Sequence, residues 1–173
     1  MAAKKTTKAT ITPVRRNEPG IDIGLSDAAR KKAAAILTGV LADTFAVYLK
    51  THNYHWNVTG PDFPQLHALF DAQYNELHDA IDGIAERIRA VGYKAPGSLA
   101  AFAKLTSIKE SDSEPAADEM VRNLQLANEE LVRILRKAET ELGELGDISS
   151  ADLMVQRTTA SEKHAWMLRS ING

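Results

Sequence analysis

Cysteine is absent from all 173 residues. That removes disulfide staples, zinc–thiolate sites, iron–sulfur clusters and cysteine nucleophiles together. Any metal bound here must be held by nitrogen and oxygen. No run of about 18 apolar residues stands out as a membrane span. Lys4, Lys5 and Lys8 lead into Thr and Pro instead of an apolar stretch, so no secretory signal is read either. The expectation is a cytoplasmic protein with no membrane segment. Charge of one sign is not in excess, since the net charge is only −2. Residues 1–20 nevertheless hold Lys4, Lys5, Lys8, Arg15 and Arg16 against the single acid Glu18, so the rest of the chain is acidic.

What is present is ordinary for one soluble domain: 44% hydrophobic and 25% charged residues in a length that buries a sizeable core. Residues 1–24, rich in Lys, Thr, Ala and Pro, read as a flexible basic tail, and 25–173 as the domain. Ser26 can cap a first helix, with Leu37, Leu41, Phe45, Tyr48, His52 and His55 at steps of three and four and a second stripe of Ile36, Val40 and Val47. After the break at Asn57-Val58-Thr59-Gly60-Pro61, Asp62 can cap a second helix. Its row is Phe70, Tyr74, Leu77, Ile81, Ile84, Ile88 and Val91, ending at Gly92. A long connection follows, with a short helical candidate from Ser98 to Leu105. A third helix from about Ala116 to Leu142 turns Met120, Leu124, Leu131, Leu135 and Ala138 inward, and a fourth runs from about Ser149 to Ser170. Four long helices with one long connection between the second and third predict an all-α, ferritin-like four-helix bundle with a short extra helix in that connection.

Four of the five histidines lie between residues 52 and 78, interleaved with acids. On the second helix His67 and Asp71 are an i,i+4 pair, and so are Asp82 and Glu86; at 100° per residue all four share one stripe about 100° wide. Imidazole with carboxylate suits iron, manganese or zinc, and iron is the one expected to do redox chemistry there. One helix cannot close such a site. Asp71 and Asp82 are separated by about 16 Å of helix, whereas metal–ligand bonds are about 2 Å. Either the two pairs serve different sites or two chains meet. In antiparallel helices across a two-fold axis, residues equidistant from the dyad face each other. His67 with Glu86 and Asp71 with Asp82 share one midpoint, between residues 76 and 77. A dyad there builds two shared sites. The stripe lies about 100° from the row of Leu66, Phe70, Leu77 and Ile81, so it faces out of the bundle. No Glu-x-x-His motif, the bundle-centre signature, occurs. The blander alternative is a solvated face of i,i+4 pairs. His52 and His78 read as structural or surface residues, and His164 as a satisfied core histidine.

The run Tyr54-His55-Trp56-Asn57-Val58-x-Gly60-Pro61-x-Phe63-x-x-Leu66-His67, then Asp82-x-Ile84-Ala85-Glu86-Arg87-Ile88 and the late Lys163-His164-x-Trp166-Met167, resembles the Dps family of mini-ferritins. The resemblance runs from Ser26 onward. It implies a ferroxidase whose site takes His55, His67 and Asp71 from one subunit and Asp82 and Glu86 from its dyad mate. It also implies Fe(II) as substrate, hydrogen peroxide or oxygen as oxidant, a ferric mineral core and a dodecameric shell of two-fold dimers. Asp147 and Asp152, near the start of the last helix, are the candidates for an acidic pore that admits iron. Trp56 is a candidate radical trap, with a buried interface aromatic as the plainer reading. Lys4, Lys5, Lys8, Arg15 and Arg16 match sequence-independent binding of DNA through its phosphates, which would associate the protein with the nucleoid. Two rival readings are a nucleoid protein that condenses DNA with little iron oxidation, and a non-catalytic helical bundle.

Overall fold

A computed structural model describes residues 20–110 and 114–171. They form five helices and, among the described residues, no strand: α1 Asp27–Asn57, α2 Phe63–Ala90, α3 Leu99–Leu105, α4 Ala117–Glu144 and α5 Ile148–Ile171. The expected ferritin-like arrangement is present, with α3 as the short helix in the crossover. The basic residues at 4, 5, 8, 15 and 16 lie outside the described residues.

Local chemistry sets the helix ends. Ser26 Oγ accepts from the Ala29 amide at 3.2 Å, capping α1, and Ser98 does the same for α3 through Ala101. Pro64 sits in the first turn of α2, where its missing N–H costs nothing. α2 stops at Gly92, whose φ of 98° excludes most other residues. A Cβ added there would also meet Ile21 Cδ1 at 2.5 Å, because the segment leading into α1 lies over the end of α2.

α1 pairs with α2 and α4 with α5, and the two hairpins join mainly through α1 and α4. The core between them is built from Leu37, Leu41, Val47, Leu77, Ile84, Ile88, Leu131, Leu135, Leu142 and Met154. The apolar row expected for α4 is buried as read. That of α1 is not. Its core contacts come from Ala33, Ala34, Ala42 and Ala46 besides Leu37, Val40, Leu41 and Val47, while Phe45, Tyr48, His52 and His55 are only half-buried. The same holds for Tyr74 and Ile81 on α2. Contrary to the expectation of no membrane-length apolar run, α1 is long and apolar enough to cross a membrane by length and composition alone. Most of that stretch, 61%, is covered by the rest of the bundle. The crossover is latched to α1 by buried Asp43, which accepts from the Ser107 amide and from the Thr106 and Ser107 hydroxyls.

Polar groups also cross the bundle. Arg157 of α5 grips the Glu76 carboxylate of α2 with both terminal guanidinium nitrogens, Nη1 and Nη2, and His164 Nε2 lies 3.8 Å from Glu76 Oε2. His164 is buried as expected but is not fully satisfied, since its Nδ1 has no hydrogen-bond partner. Burial lowers the His164 pKa below 6.5 despite the nearby Glu76 charge, with Arg157 and Lys163 pushing the same way. A histidine held neutral in the fold but free to protonate when unfolded stabilises the fold fully above pH 6.5, and that contribution is lost as pH falls from there through the folded pKa. Denaturant unfolding at a series of pH values should show wild type losing stability over that window and His164→Gln losing less; identical slopes would remove this assignment.

Candidate metal centre

The turn between α1 and α2 brings His55 and His67 face to face, with ring centroids 3.8 Å apart and planes 21° from parallel. Each ring is held by the other residue's backbone: His55 Nδ1 lies 2.9 Å from the His67 carbonyl oxygen, and His67 Nδ1 lies 2.9 Å from that of His55. A carbonyl oxygen can only accept, so each Nδ1 carries the proton. In the neutral rings that tautomer leaves the lone pair on Nε2, the state a metal-binding imidazole requires, with the orienting hydrogen bond made on the far nitrogen.

Asp71 follows one turn after His67 and is half-buried. Tyr74 Oη donates to its Oδ1 at 2.8 Å, and this bond, with burial second, raises the Tyr74 pKa above 10.0. The Tyr74 ring lies on His52, centroids 4.0 Å apart and 15° from parallel, and His52 in turn lies against Trp56 at 4.1 Å. Tyr48 Oη is 3.2 Å from His52 Nδ1. Burial is the first cause that lowers the His52 pKa. His52 is thus the middle of an aromatic stack beside the histidine pair, where the sequence suggested a structural or surface role. Tyr48 and Tyr74 were assigned to core-facing rows and missed as site residues. The available signal was the spacing, since Tyr48 stands four residues before His52 and Tyr74 three after Asp71. His78 is exposed, with Asp79 at 3.7 Å.

Asp82 and Glu86 lie on the same helix, both exposed. Among the described residues no three His, Asp or Glu side chains converge closely enough to hold a metal ion. One chain therefore presents His55, His67 and Asp71 at one end of α2 and Asp82 with Glu86 farther along, and does not bring the two groups together. Trp56, expected as an interface aromatic on the plainer reading, is 62% exposed in the single chain.

The two pore candidates separate. Asp147 is only 2% exposed; its Oδ1 accepts from Arg87 Nη2 at 2.5 Å and from the Ser150 amide at 3.1 Å, and its Oδ2 from the Ser150 hydroxyl at 2.6 Å. In the single chain it is an ion-paired cap for the start of α5. Asp152 is exposed and accepts from Gln156 at 2.7 Å.

The ferritin-like domain family matches residues 34–173. A "DNA protection during starvation protein" from Brevibacillus brevis is 36% identical over 137 residues, covering 79% of this chain and 92% of that one. A low temperature-induced protein from Nostoc sp. is 40% identical over 154 residues, covering 88% of this chain and 86% of that one. The crystal structure of a Dps protein from Vibrio cholerae O1 superposes with a TM-score of 0.84 at 30% identity, over 91% of this chain and 99% of that one. With its fold, its paired histidines and these relatives in agreement, the chain belongs to the Dps family of ferritin-like proteins.

Proposed function

We propose that this protein sequesters iron as a ferroxidase whose sites are completed by two copies of the chain. His55, His67 and Asp71 bind Fe(II) together with Asp82 and Glu86 of the partner subunit. The observation that carries the reading is the reciprocal lock of His55 and His67, which leaves two imidazole nitrogens free, with Asp71 one helical turn beyond His67 and too few ligands in the chain itself. The acids that would complete the set stand exposed on the same helix, at positions symmetric with His67 and Asp71 about one midpoint.

The chemistry is a two-electron reduction of peroxide. Two Fe(II) ions each lose one electron, the O–O bond breaks, and two hydroxides form, so no hydroxyl radical is released; oxygen is the alternative oxidant. The carboxylates stabilise the growing charge on iron, and the Fe(III) produced moves on as ferric oxide nuclei into a hollow shell, a dodecamer built from two-fold dimers. Asp152 remains a candidate for the pore that admits the cations. Iron oxidation by His67→Ala and Asp82→Ala variants, followed after adding Fe(II) and peroxide to apoprotein, tests the reading. Both are expected to lose it, and wild-type rates in both would reject this site.

The basic residues Lys4, Lys5, Lys8, Arg15 and Arg16 add a second activity, DNA binding through phosphates without reading sequence, which would place the shell at the nucleoid and protect the DNA there. Many tails on one shell would multiply weak contacts. Removing residues 1–19 should abolish DNA retardation while leaving iron oxidation intact. In the full chain, log affinity should fall linearly with log salt, with a slope of about −0.9 per phosphate neutralised. Affinity that stays constant as salt rises would exclude phosphate binding.

A further inference from the structure

The apolar core is not continuous along the bundle. One cluster contains Val47, Leu77, Leu131 and Met154, and a second contains Tyr54, Phe70, Leu124 and Leu168. Between them each long helix turns a polar side chain inward: Thr51 on α1, Gln73 on α2, Asn128 on α4, and Ser161 with His164 on α5. Cross-helix contacts bring these to one level. Tyr48 lies against Tyr74 and His55 against His67, which sets Thr51 within a turn of Gln73. Glu76 meets both Arg157 and His164, which bracket Ser161, and Arg169 pairs with Glu129, the neighbour of Asn128. Among the described residues seven buried side-chain polar atoms have no hydrogen-bond partner, and five of them belong to this layer: Gln73 Oε1 and Nε2, Asn128 Oδ1, Ser161 Oγ and His164 Nδ1. Accidents of packing would be scattered; these are gathered.

We propose that this layer is an internal hydration site, in which ordered water bridges Gln73 of the first hairpin to Asn128, Ser161 and His164 of the second. An unpaired buried amide is costly, and the orphaned atoms include donors and acceptors together, a mixture that water satisfies because it is both. A buried water makes about three hydrogen bonds, so about two waters serve the five atoms. Room for them comes from small side chains, since Thr51, Ser161 and the buried Ala165 stand where bulkier residues would fill the layer. A metal ion fits poorly. Bundle-centre metal sites draw on several carboxylates, whereas the one carboxylate at this level, Glu76, is already gripped by Arg157, and the other groups are neutral. The two hairpins meet mainly through α1 and α4, and α2 packs sparsely on α5. Water at Gln73 therefore ties α2 to the second hairpin where direct contact is least, beside the Glu76–Arg157 pair.

Two measurements on the full-length assembled protein test this. High-resolution crystals, grown with zinc present, should show water within hydrogen-bond distance of Gln73 and of at least one of Asn128, Ser161 and His164. Thermal unfolding then compares wild type with Gln73→Met, a change close to isosteric that removes both amide atoms. A hydrated layer loses its bridge in that variant, so Tm should fall by about 4 °C. A dry layer predicts the opposite sign, because methionine replaces an amide that was buried unpaired. A rise in Tm, side chains that pair directly with no water between them, or anomalous scattering from zinc in the layer would each overturn the proposal. Ser161→Ala is the milder change and should lose one water and lower Tm in the same direction, so it decides the matter if Gln73→Met does not assemble.

Discussion

Mixing a His67→Ala chain with an Asp82→Ala chain is expected to restore iron oxidation that neither assembly performs alone. Each uniform assembly lacks one ligand at every site, and because losing even a group that only orients a metal ligand costs 10–100-fold, a lost ligand should cost about 100-fold or more. In a mixed two-fold dimer the His67→Ala chain still supplies its Asp82, and the Asp82→Ala chain still supplies its His67. One of the dimer's two sites is then whole and the other doubly damaged. Random pairing of equal amounts makes half the dimers mixed, so about one quarter of the wild-type sites should return. A site formed within a single chain predicts no recovery, since every chain carries a lesion. The co-refolded mixture therefore separates the two geometries by presence against absence of activity.

The second large effect is one of stability. Asp147→Ala strips Arg87 of its carboxylate while leaving that guanidinium only 21% exposed, and it removes the cap of α5 at the same time. Deleting one member of a buried pair commonly costs 3–5 kcal/mol, and a lost cap about 1. Because Arg87 retains some contact with water, we expect about 3 kcal/mol in total, near the lower end of that range. For a chain of this size that lowers Tm by roughly 6–12 °C. Asp152→Ala, at an exposed position, should stay within about 0.5 kcal/mol of wild type. Thermal unfolding of both variants distinguishes the assignments: a pore carboxylate at position 147 would slow iron uptake and leave Tm unchanged, the reverse of what the ion pair predicts.

These residues also mark where the sequence could be read and where it could not. α4 buries one side of itself against its neighbours, so its large apolar residues recur at helical spacing and Met120, Leu124, Leu131, Leu135 and Ala138 were legible directly. α1 contacts α2, α3 and α4 at once. Much of its core face is alanine, which allows close approach but gives little hydrophobic signal. Its larger residues Phe45, Tyr48 and His52 continue the helical spacing onto a half-buried face, where Phe45 and Tyr48 pack at the edge of the core and His52 meets other aromatic rings. Asp147 shows the limit of local reasoning. The Ser150 that it caps lies only three residues away, but the Arg87 that neutralises it is 60 residues distant and leaves no trace in spacing.

The proposed iron ligands rest on a different signal. A two-fold axis makes one helix face a copy of itself, so a shared site writes both of its halves into a single stretch of sequence, symmetric about the dyad. Spacing alone could not supply the orientation of His55 and His67, because the hydrogen bonds that fix both rings run between backbone and side chain across the turn. Nor could it place His52 between Tyr74 and Trp56, since that contact depends on how α1 and α2 pack.

Crystals soaked in Fe(II) without oxidant, with the iron located by its anomalous scattering, probe the shared cradle most directly. The account predicts iron at the two-fold interface, within bonding distance of His67 and Asp71 of one subunit and of Glu86 of the partner subunit. Iron bound wholly within one chain, or an interface whose acids and imidazoles stand too far apart to grip an ion, would contradict it.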